Sequence, residues 1–456
     1  MFSPDGRAPE GSILMFQRKI YEKIKKWKTE QDGRTALLVE GQRRVGKSTV
    51  VEKFGKQEYE SYILLDFSTC SQEIRDLFRD TSDLDYFFLQ LQLLTGVHLV
   101  ERSSLIIFDE VQLFPLARQA IKSLVKDHRY DYIETGSLIS IRKNVKDILI
   151  PSEEQRILMH PMDFEEFLWT LGDQATIPSL KILLQKQRPA GDGAHRRLMR
   201  LLRLYMLIGG MPQAVAVYLE SNDLETVDQV KRDILRLYED DFYKIDATGR
   251  LSQLFDAIPA QLNKNSSRYV VSNILPHMRP GNSLNLIAEL IDSRAVLAAY
   301  HTSLPSAEMA SYKDLTRFKL FLSDTGLFTT LMFKSKNFTE NELYRKLLSD
   351  KLSANLGYLY ENMAAQMLTA NGYGLYYHTF PNPSRTANYE VDFLIAQGNK
   401  ICPVEVKSSG YKSHASLDAF CQKYSAQIAK KYLIYTKDLQ KDHDVFLLPM
   451  YMTPLL

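Results

Sequence analysis

Cysteine is scarce. Cys70, Cys402 and Cys421 are the only three in 456 residues, and none belongs to a CxxC pair. A disulfide framework and a cysteine-based zinc site are therefore not expected, and the scarcity fits a reducing cytosol. An excess of one charge is also lacking: 57 Lys and Arg against 55 Asp and Glu leave a formal net charge of +2. Whole-chain attraction to nucleic acid or to a membrane surface is excluded, so any such binding has to come from a local patch. No apolar run reaches the roughly 20 residues that a membrane span needs. The most apolar stretch, Leu204 to Leu219, is interrupted by Gly209, Gly210, Pro212 and Gln213. The opening MFSPDGRAPEGSILMF lacks the basic start and continuous apolar core of a secretory signal. A cytoplasmic protein with no membrane segment is the expectation.

The remaining composition, 45% apolar and 25% charged, is that of ordinary globular chains. The length suits about three domains at roughly 150 residues each. Four stretches differ in pattern. Residues 1–155 alternate short apolar strands (Ala36 to Val39, Tyr62 to Phe67, Leu105 to Phe108, Tyr132 to Glu134) with helices such as Leu84 to Leu94 and Leu116 to Lys126. That alternation predicts an α/β fold with a parallel sheet covered on both faces. Residues 156–250 read as helical. Asp163 and Glu166 form a capping box, and GGMP at Gly209 to Pro212 reads as a loop that lets helices pack closely. Residues 251–335 read as three short helices followed by strands at Val296 to His301 and Phe318 to Leu322, the order of a winged helix. Residues 336–456 carry a helix, Ala354 to Thr369, and a hairpin of Tyr389 to Ile395 with Ile401 to Val406 around Gln397-Gly398-Asn399.

Gly41-Gln42-Arg43-Arg44-Val45-Gly46-Lys47-Ser48, followed by Thr49, fits GxxxxGK[ST] between a predicted strand and a predicted helix. Backbone N–H groups around Gly46 can wrap phosphate oxygens because no Cβ intervenes, and the helix N-terminus adds a favourable dipole. Lys47 is expected to reach the β- and γ-phosphates of ATP, and Ser48 to ligate Mg2+. Arg43 and Arg44 read as partly solvated side chains that also suit steering of phosphate or pairing with a lid. A second half follows at Leu105-Ile106-Ile107-Phe108-Asp109-Glu110. Asp109 falls at the C-terminal end of a strand buried on both faces, where ligands bind in open α/β sheets, and suits Mg2+. Glu110 is placed to polarise an attacking water. In Glu134-Thr135-Gly136-Ser137, the Thr135 and Ser137 hydroxyls suit either a γ-phosphate sensor or a helix cap. Arg156 suits either neutralisation of transition-state charge or an ordinary surface position.

A second constellation joins Glu361, Glu390, Asp392, Glu405 and Lys407. Alternate residues of a strand share a face, so Glu390 with Asp392, and Glu405 with Lys407, face together. Carboxylates around a hard cation make a Mg2+ site, and an adjacent lysine can stabilise a pentavalent phosphate. The competing reading is a half-exposed sheet with polar alternation. Tyr376, Tyr377 and Phe380 suit base stacking or core packing, and His378 and His414 receive no role.

Taken together, GQRRVGKST (Gly41 to Thr49), LIIFDEVQ, ETGS, PMDFEEF, GGMPQAV, FLSDTGL and the YEVDF…PVEVKS pair make the chain resemble prokaryotic AAA+-superfamily ATPases, related to the STAND-like ATPases. The resembling family carries a C-terminal nuclease-like domain. The resemblance spans about residues 18 to 408. It implies a P-loop ATPase core, a helical lid, a winged-helix segment and a domain similar to PD-(D/E)XK nucleases. It implies phosphate and Mg2+ binding by Lys47 and Ser48, metal binding by Asp109, and water activation by Glu110. Asp392, Glu405 and Lys407 match the D…ExK signature, with Glu361 as the helical acid. Three functions stay open: an ATP-driven switch acting on DNA or RNA, a nucleotide-sensing scaffold for a protein partner, and a metal-dependent nuclease whose ATPase only gates access. The helix Leu284 to Ser293 carries Glu289 and Asp292, with Arg294 just beyond it, and so lacks the basic face of a DNA-reading helix. The oligomeric state is left open by the sequence.

Overall fold

The computed structural model describes residues 15–136, 152–264, 267–334, 348–349, 357–383, 388–408 and 414–456. The chain divides into two units, residues 1–160 with 292–294, and residues 161–291 with 295–456.

The first unit is built on a five-stranded parallel sheet of β1 (Ala36–Glu40), β2 (Ser61–Asp66), β3 (Ser104–Asp109), β4 (Asp131–Gly136) and β5 (Glu154–Leu158), in the order β2-β3-β4-β1-β5. Every residue of β1, β3 and β4 is buried. That is why those segments read as unbroken apolar runs rather than alternating ones. Leu37, Val39, Leu105, Ile107 and Ile133 pack with α1 (Lys19–Gln31) and α2 (Lys47–Glu58). Ala36, Leu38, Ile106, Phe108 and Tyr132 pack on the opposite face with α3 (Gln72–Leu77), α4 (Leu84–Thr95) and α5 (Pro115–Asp127). This is the α/β fold of P-loop NTPases. Four strands were expected, and β5, with its exposed Gln155 and Arg156, adds a fifth at the edge.

The second unit opens with helix Phe164–Thr170. Its capping box is formed as expected: Asp163 accepts from Glu166 N at 2.9 Å, and Glu166 accepts from Asp163 N at 3.1 Å. Helices Asp192–Ile208, Pro212–Ser221 and Leu224–Ile245 follow. Among the described residues no single helix is long and apolar enough to cross a membrane. GGMP does let elements meet closely. A Cβ on Gly210 would lie 2.0 Å from the Met162 carbonyl oxygen, and one on Gly326 would lie 2.5 Å from Gly209 Cα. Met162 N donates to Gly210 O at 2.7 Å, and Gly210 N donates to the Asp324 carboxylate at 2.5 Å. Buried Lys231 donates to Leu207 O at 2.6 Å and Gly326 O at 3.2 Å. The PMDF, GGMP and SDTGL segments thus converge on one buried knot.

The segment expected to be a winged helix is differently arranged. Leu251 to Leu262 is two helices, Arg250–Asp256 and Ile258–Asn263. Tyr269 to His277 holds only a short 3-10 turn, Val271–Asn273, and Leu284 to Ser293 falls in helix Pro280–Asp292. Strands β6 (Val296–Thr302) and β7 (Lys313–Leu322) form the expected hairpin, but they extend the C-terminal sheet instead of standing apart as a wing. That mixed sheet adds β8 (Tyr376–Phe380), β9 (Tyr389–Gln397), β10 (Lys400–Val406), β11 (Lys431–Tyr435), β12 (Gln440–Asp442) and β13 (Val445–Pro449). Its order is β12-β13-β11-β10-β9-β8-β6-β7. The β9–β10 hairpin turns where expected, with Gln397 opposite Lys400 and Gly398 at φ 60°. Helix Gly357–Ala370 is tied to β7: Asn362 accepts from Leu322 N at 2.8 Å and donates to Leu322 O at 3.2 Å.

Gly210→Ala forces a methyl group into the Met162 backbone, and overpacking of this kind costs about 1–3 kcal/mol. A lower midpoint in thermal or urea unfolding is the expected result, whereas Gly281→Ala, which meets nothing within 4 Å, leaves the midpoint nearly unchanged.

Candidate functional site

The phosphate loop connects β1 to α2. Arg44 at φ 66° and Gly46 at φ 97° turn the chain through left-handed conformations, which glycine adopts without strain. Gly41 lies so close to β5 that a Cβ there would sit 2.6 Å from Met159 O. Arg18, ahead of α1, donates to Val45 O at 3.0 Å and to His160 O at 2.6 Å. It clamps the loop from a sequence position that carries no motif. Gln42 and Val45 are buried, Arg43 and Arg44 are exposed, and Ser48 and Thr49 are half-buried on the first turn of α2.

Lys47 is buried, and its ammonium is held by the loop's own carbonyls, Gly41 O and Gln42 O, each at 3.1 Å. Burial lowers its pKa, with Glu110 and Asp109 pulling the other way. Ser48 Oγ donates to Asp109 Oδ1 at 2.8 Å. The Thr135 hydroxyl donates to the same oxygen and accepts from Glu110 N at 3.3 Å. Glu110 takes a left-handed conformation, φ 53°, and Gln112 donates to its carboxylate. Lys47, Ser48, Asp109, Glu110 and Thr135 therefore form one constellation. The residues fit an Mg2+–nucleotide ligand: a glycine cradle, a buried ammonium hydrogen-bonded to loop carbonyls, and a hydroxyl beside a carboxylate. Ser137 lies outside the described residues.

Arg156 is not part of this constellation. Thr135 is in register with Val39, which packs on the α2 face, whereas Arg156 is in register with Leu38, which packs on the α5 face. On that face Arg156 contacts Glu154 at 2.7 Å and Glu40 at 3.7 Å. The buried Arg118 of α5 makes a two-pronged pair with Glu154 at 2.9 and 3.0 Å. Glu134 is fully buried beside them, and its carboxyl oxygens have no hydrogen-bond donor among the described residues. Burial, then the Glu154 charge, pushes its pKa well above the ordinary range.

In the C-terminal unit, the structure gathers the expected carboxylates and adds a cation. Lys319 of β7 donates to Glu361 at 2.7 Å and to Glu390 at 2.6 Å. Lys407 pairs with Glu405 at 2.5 Å, and Asp392 accepts from Val406 N at 2.8 Å. Burial raises Glu361 to about 7, with Lys319 opposing that rise. Burial alone would lower Lys319, but Glu361, Glu390 and Asp392 hold it well above the ordinary lysine range. Among the described residues no group of three or more His, Cys, Asp or Glu side chains is placed to hold a metal ion. Tyr377 and Phe380 are core residues. His378 is packed, contacting Thr302 O at 2.8 Å and the Tyr424 hydroxyl at 3.0 Å. Lys319, Arg18 and Arg118 are the residues that sequence reasoning missed, since none sits in a recognisable spacing.

Residues 33–168 match the AAA domain family. Residues 199–338 and 356–452 match two domains of unknown function, DUF8612 and DUF4143. No curated protein matches the chain. Among solved structures, a Walker-type ATPase of Pyrococcus abyssi is 14% identical with a TM-score of 0.43, over 70% of this chain and 96% of that one. The ORC1 protein of Aeropyrum pernix, solved in complex with DNA, is 12% identical with a TM-score of 0.28, over 71% and 94%. A STAND protein of Pyrococcus horikoshii with a tetratricopeptide repeat sensor is 12% identical with a TM-score of 0.26, over 80% and 50%.

The Glu134 proton gives a signed prediction. Between the ordinary glutamate range near 4.5 and the raised native value, the unfolded chain releases this proton while the folded chain keeps it. Stability therefore falls as pH rises through that window. Glu134→Gln removes the effect, so its unfolding midpoint relative to the parent is expected to rise as pH climbs above about 4.5 and to lose that advantage below it, read by thermal melts across pH.

Proposed function

We propose that the chain binds and hydrolyses ATP with Mg2+ and works as a nucleotide-driven switch acting on nucleic acid. The observation that carries the ATPase reading is the single oxygen of Asp109 that accepts from both Ser48 and Thr135, beside the buried Lys47. Lys47 exchanges its loop carbonyls for phosphate oxygens. Ser48 and Asp109 would hold the divalent ion, whose chemistry would be neutralisation of phosphate charge. Glu110 accepts a proton from the attacking water, and Gln112 fixes the orientation of its carboxylate. Thr135 holds Asp109 and the Glu110 backbone in mutual register. Arg156, engaged by Glu154 and Glu40, takes no part in this arrangement.

Two observations favour a second reading, a nucleotide-sensing scaffold that binds a protein partner. Helix Pro280–Asp292 contains no Lys or Arg. On α4, Tyr86, Leu89 and Leu93 are 59, 54 and 69% exposed, an apolar stripe at helical spacing.

Lys47→Ala is expected to abolish ATP binding, read by fluorescent-nucleotide titration. Glu110→Gln is expected to keep binding and to slow hydrolysis by about 100-fold or more. Turnover by Glu110→Gln at the parental rate would exclude its role as base. Mg2+-dependent hydrolysis measured with and without single- and double-stranded DNA and RNA, at low and physiological salt, separates the two readings. Stimulation by nucleic acid is expected under the first, and indifference to all four supports the scaffold.

A further inference from the structure

The carboxylates Glu361, Glu390, Asp392 and Glu405 come from the helix Gly357–Ala370 and from β9 and β10, all within the DUF4143 match. The cation among them does not. Lys319 lies on β7, within the DUF8612 match, on a strand at the far edge of the same sheet. It reaches inward past Ala299, its partner in register on β6 and a residue too small to block the stem. The ammonium stands over the Tyr377 ring and is shared between two carboxylates, 2.7 Å from Glu361 and 2.6 Å from Glu390. The residue is only 5% exposed, so the charge cannot swing into water without unpacking the strand.

These contacts place a positive charge among the carboxylates that a metal would use. Mg2+ requires oxygen ligands at about 2.0–2.1 Å in near-octahedral order, which places it within a few ångströms of every ligand's other partners. Glu361, the helical acid, is turned to the ammonium. Asp392 gives one oxygen to Val406 N at 2.8 Å, and Glu405 gives one to Lys407 at 2.5 Å. Each of the four carboxylates thus has one oxygen engaged within the protein, and Glu405 Oε2 is buried without a hydrogen-bond partner. A dication added here would meet a buried ammonium, and buried like charges repel strongly in a low dielectric.

We propose that Lys319 is the resident cation of this cluster and keeps a divalent metal out of it, so that the nuclease-like residues Asp392, Glu405 and Lys407 stand in a site held by an internal ion pair. The inference is independent of the nucleotide reading and is tested apart from it. In the full chain carrying Asp109→Asn, which silences the nucleotide-site metal, Mn2+ is titrated without nucleotide and free Mn2+ is read by electron paramagnetic resonance. With Lys319 intact, the expected result is no Mn2+ binding that Glu405→Gln removes. With Lys319→Ala added, and folding checked by circular dichroism, one Mn2+ per chain is expected to bind at least tenfold more tightly and to be lost again with Glu405→Gln. Lys319→Arg, which keeps the charge, is expected to behave as the parent. Tight Mn2+ binding in the Lys319-containing chain, abolished by Glu405→Gln, overturns the proposal, and so does a folded Lys319→Ala chain that gains none. Should Lys319→Ala fail to fold, the Lys319-containing chain with and without Glu405→Gln still decides the matter.

Discussion

A buried carboxylate has to be satisfied by donors, and around Asp109 that requirement fixes the geometry of the first unit. Its Oδ1 accepts hydroxyls from Ser48 and Thr135, residues 61 and 26 positions away in the chain. Each of those residues stands at the end of a different element, so one oxygen ties together the start of α2 and the ends of β3 and β4. Charge-assisted hydrogen bonds of this kind are among the stronger ones a protein makes. The phosphate loop inherits its position from that tie on one side and from the Arg18 clamp on the other. The order β2-β3-β4-β1-β5 makes the arrangement available by placing β4 between the strand that ends in Asp109 and the strand that enters the loop.

The second unit is organised by a different constraint, the close approach of backbones. Gly209, Gly210 and Gly326 have no room for a side chain, and Asp324 and Lys231 satisfy the polar groups trapped there through backbone contacts. The helix Gly357–Ala370 joins the same network through Gln366, which donates to the Tyr205 hydroxyl at 2.9 Å and accepts from Thr325 N at 2.8 Å. Three short motifs that look unrelated in sequence are the meeting points of this core. Their glycines and acids serve packing.

Two buried lysines show how partners, rather than residue type, decide chemistry. Lys47 is hydrogen-bonded to two neutral carbonyls, with Glu110 and Asp109 favouring its charge from nearby, so its ammonium can trade those carbonyls for an anion. Lys319 is held by two carboxylates, so its charge is spent inside the protein. The five-stranded sheet makes a comparable division between its faces. On the α2 side, Asp109 and Thr135 assemble a site for charged ligand. On the α5 side, Arg118 and Arg156 pair with Glu154 beside the buried Glu134, a set that shares the sheet but not the chemistry.

The local parts of this molecule were legible in the sequence. GQRRVGKS is contiguous, so its strand, loop and helix follow from adjacent residues, and the capping box at Asp163 and the turn at Gly398 are equally short-ranged. Buried parallel strands betray themselves as apolar runs, as β1, β3 and β4 do, and the edge strand β2 keeps the apolar run Tyr62 to Leu65, whereas the edge strand β5 carries Glu154, Gln155 and Arg156 and has no such run. What tertiary structure alone decided are matters of register and of distant partners. The register of β5 against β1 turned Arg156 away from the phosphate loop, since a shift of one residue exchanges the faces of a strand. The pairing of β6 with β8 drew a hairpin into the C-terminal sheet, and with it Lys319, whose carboxylate partners lie 42 and 71 residues further along the chain. A side chain's own neighbours in sequence carry no record of such contacts, because the facing of a strand is set by the strand beside it.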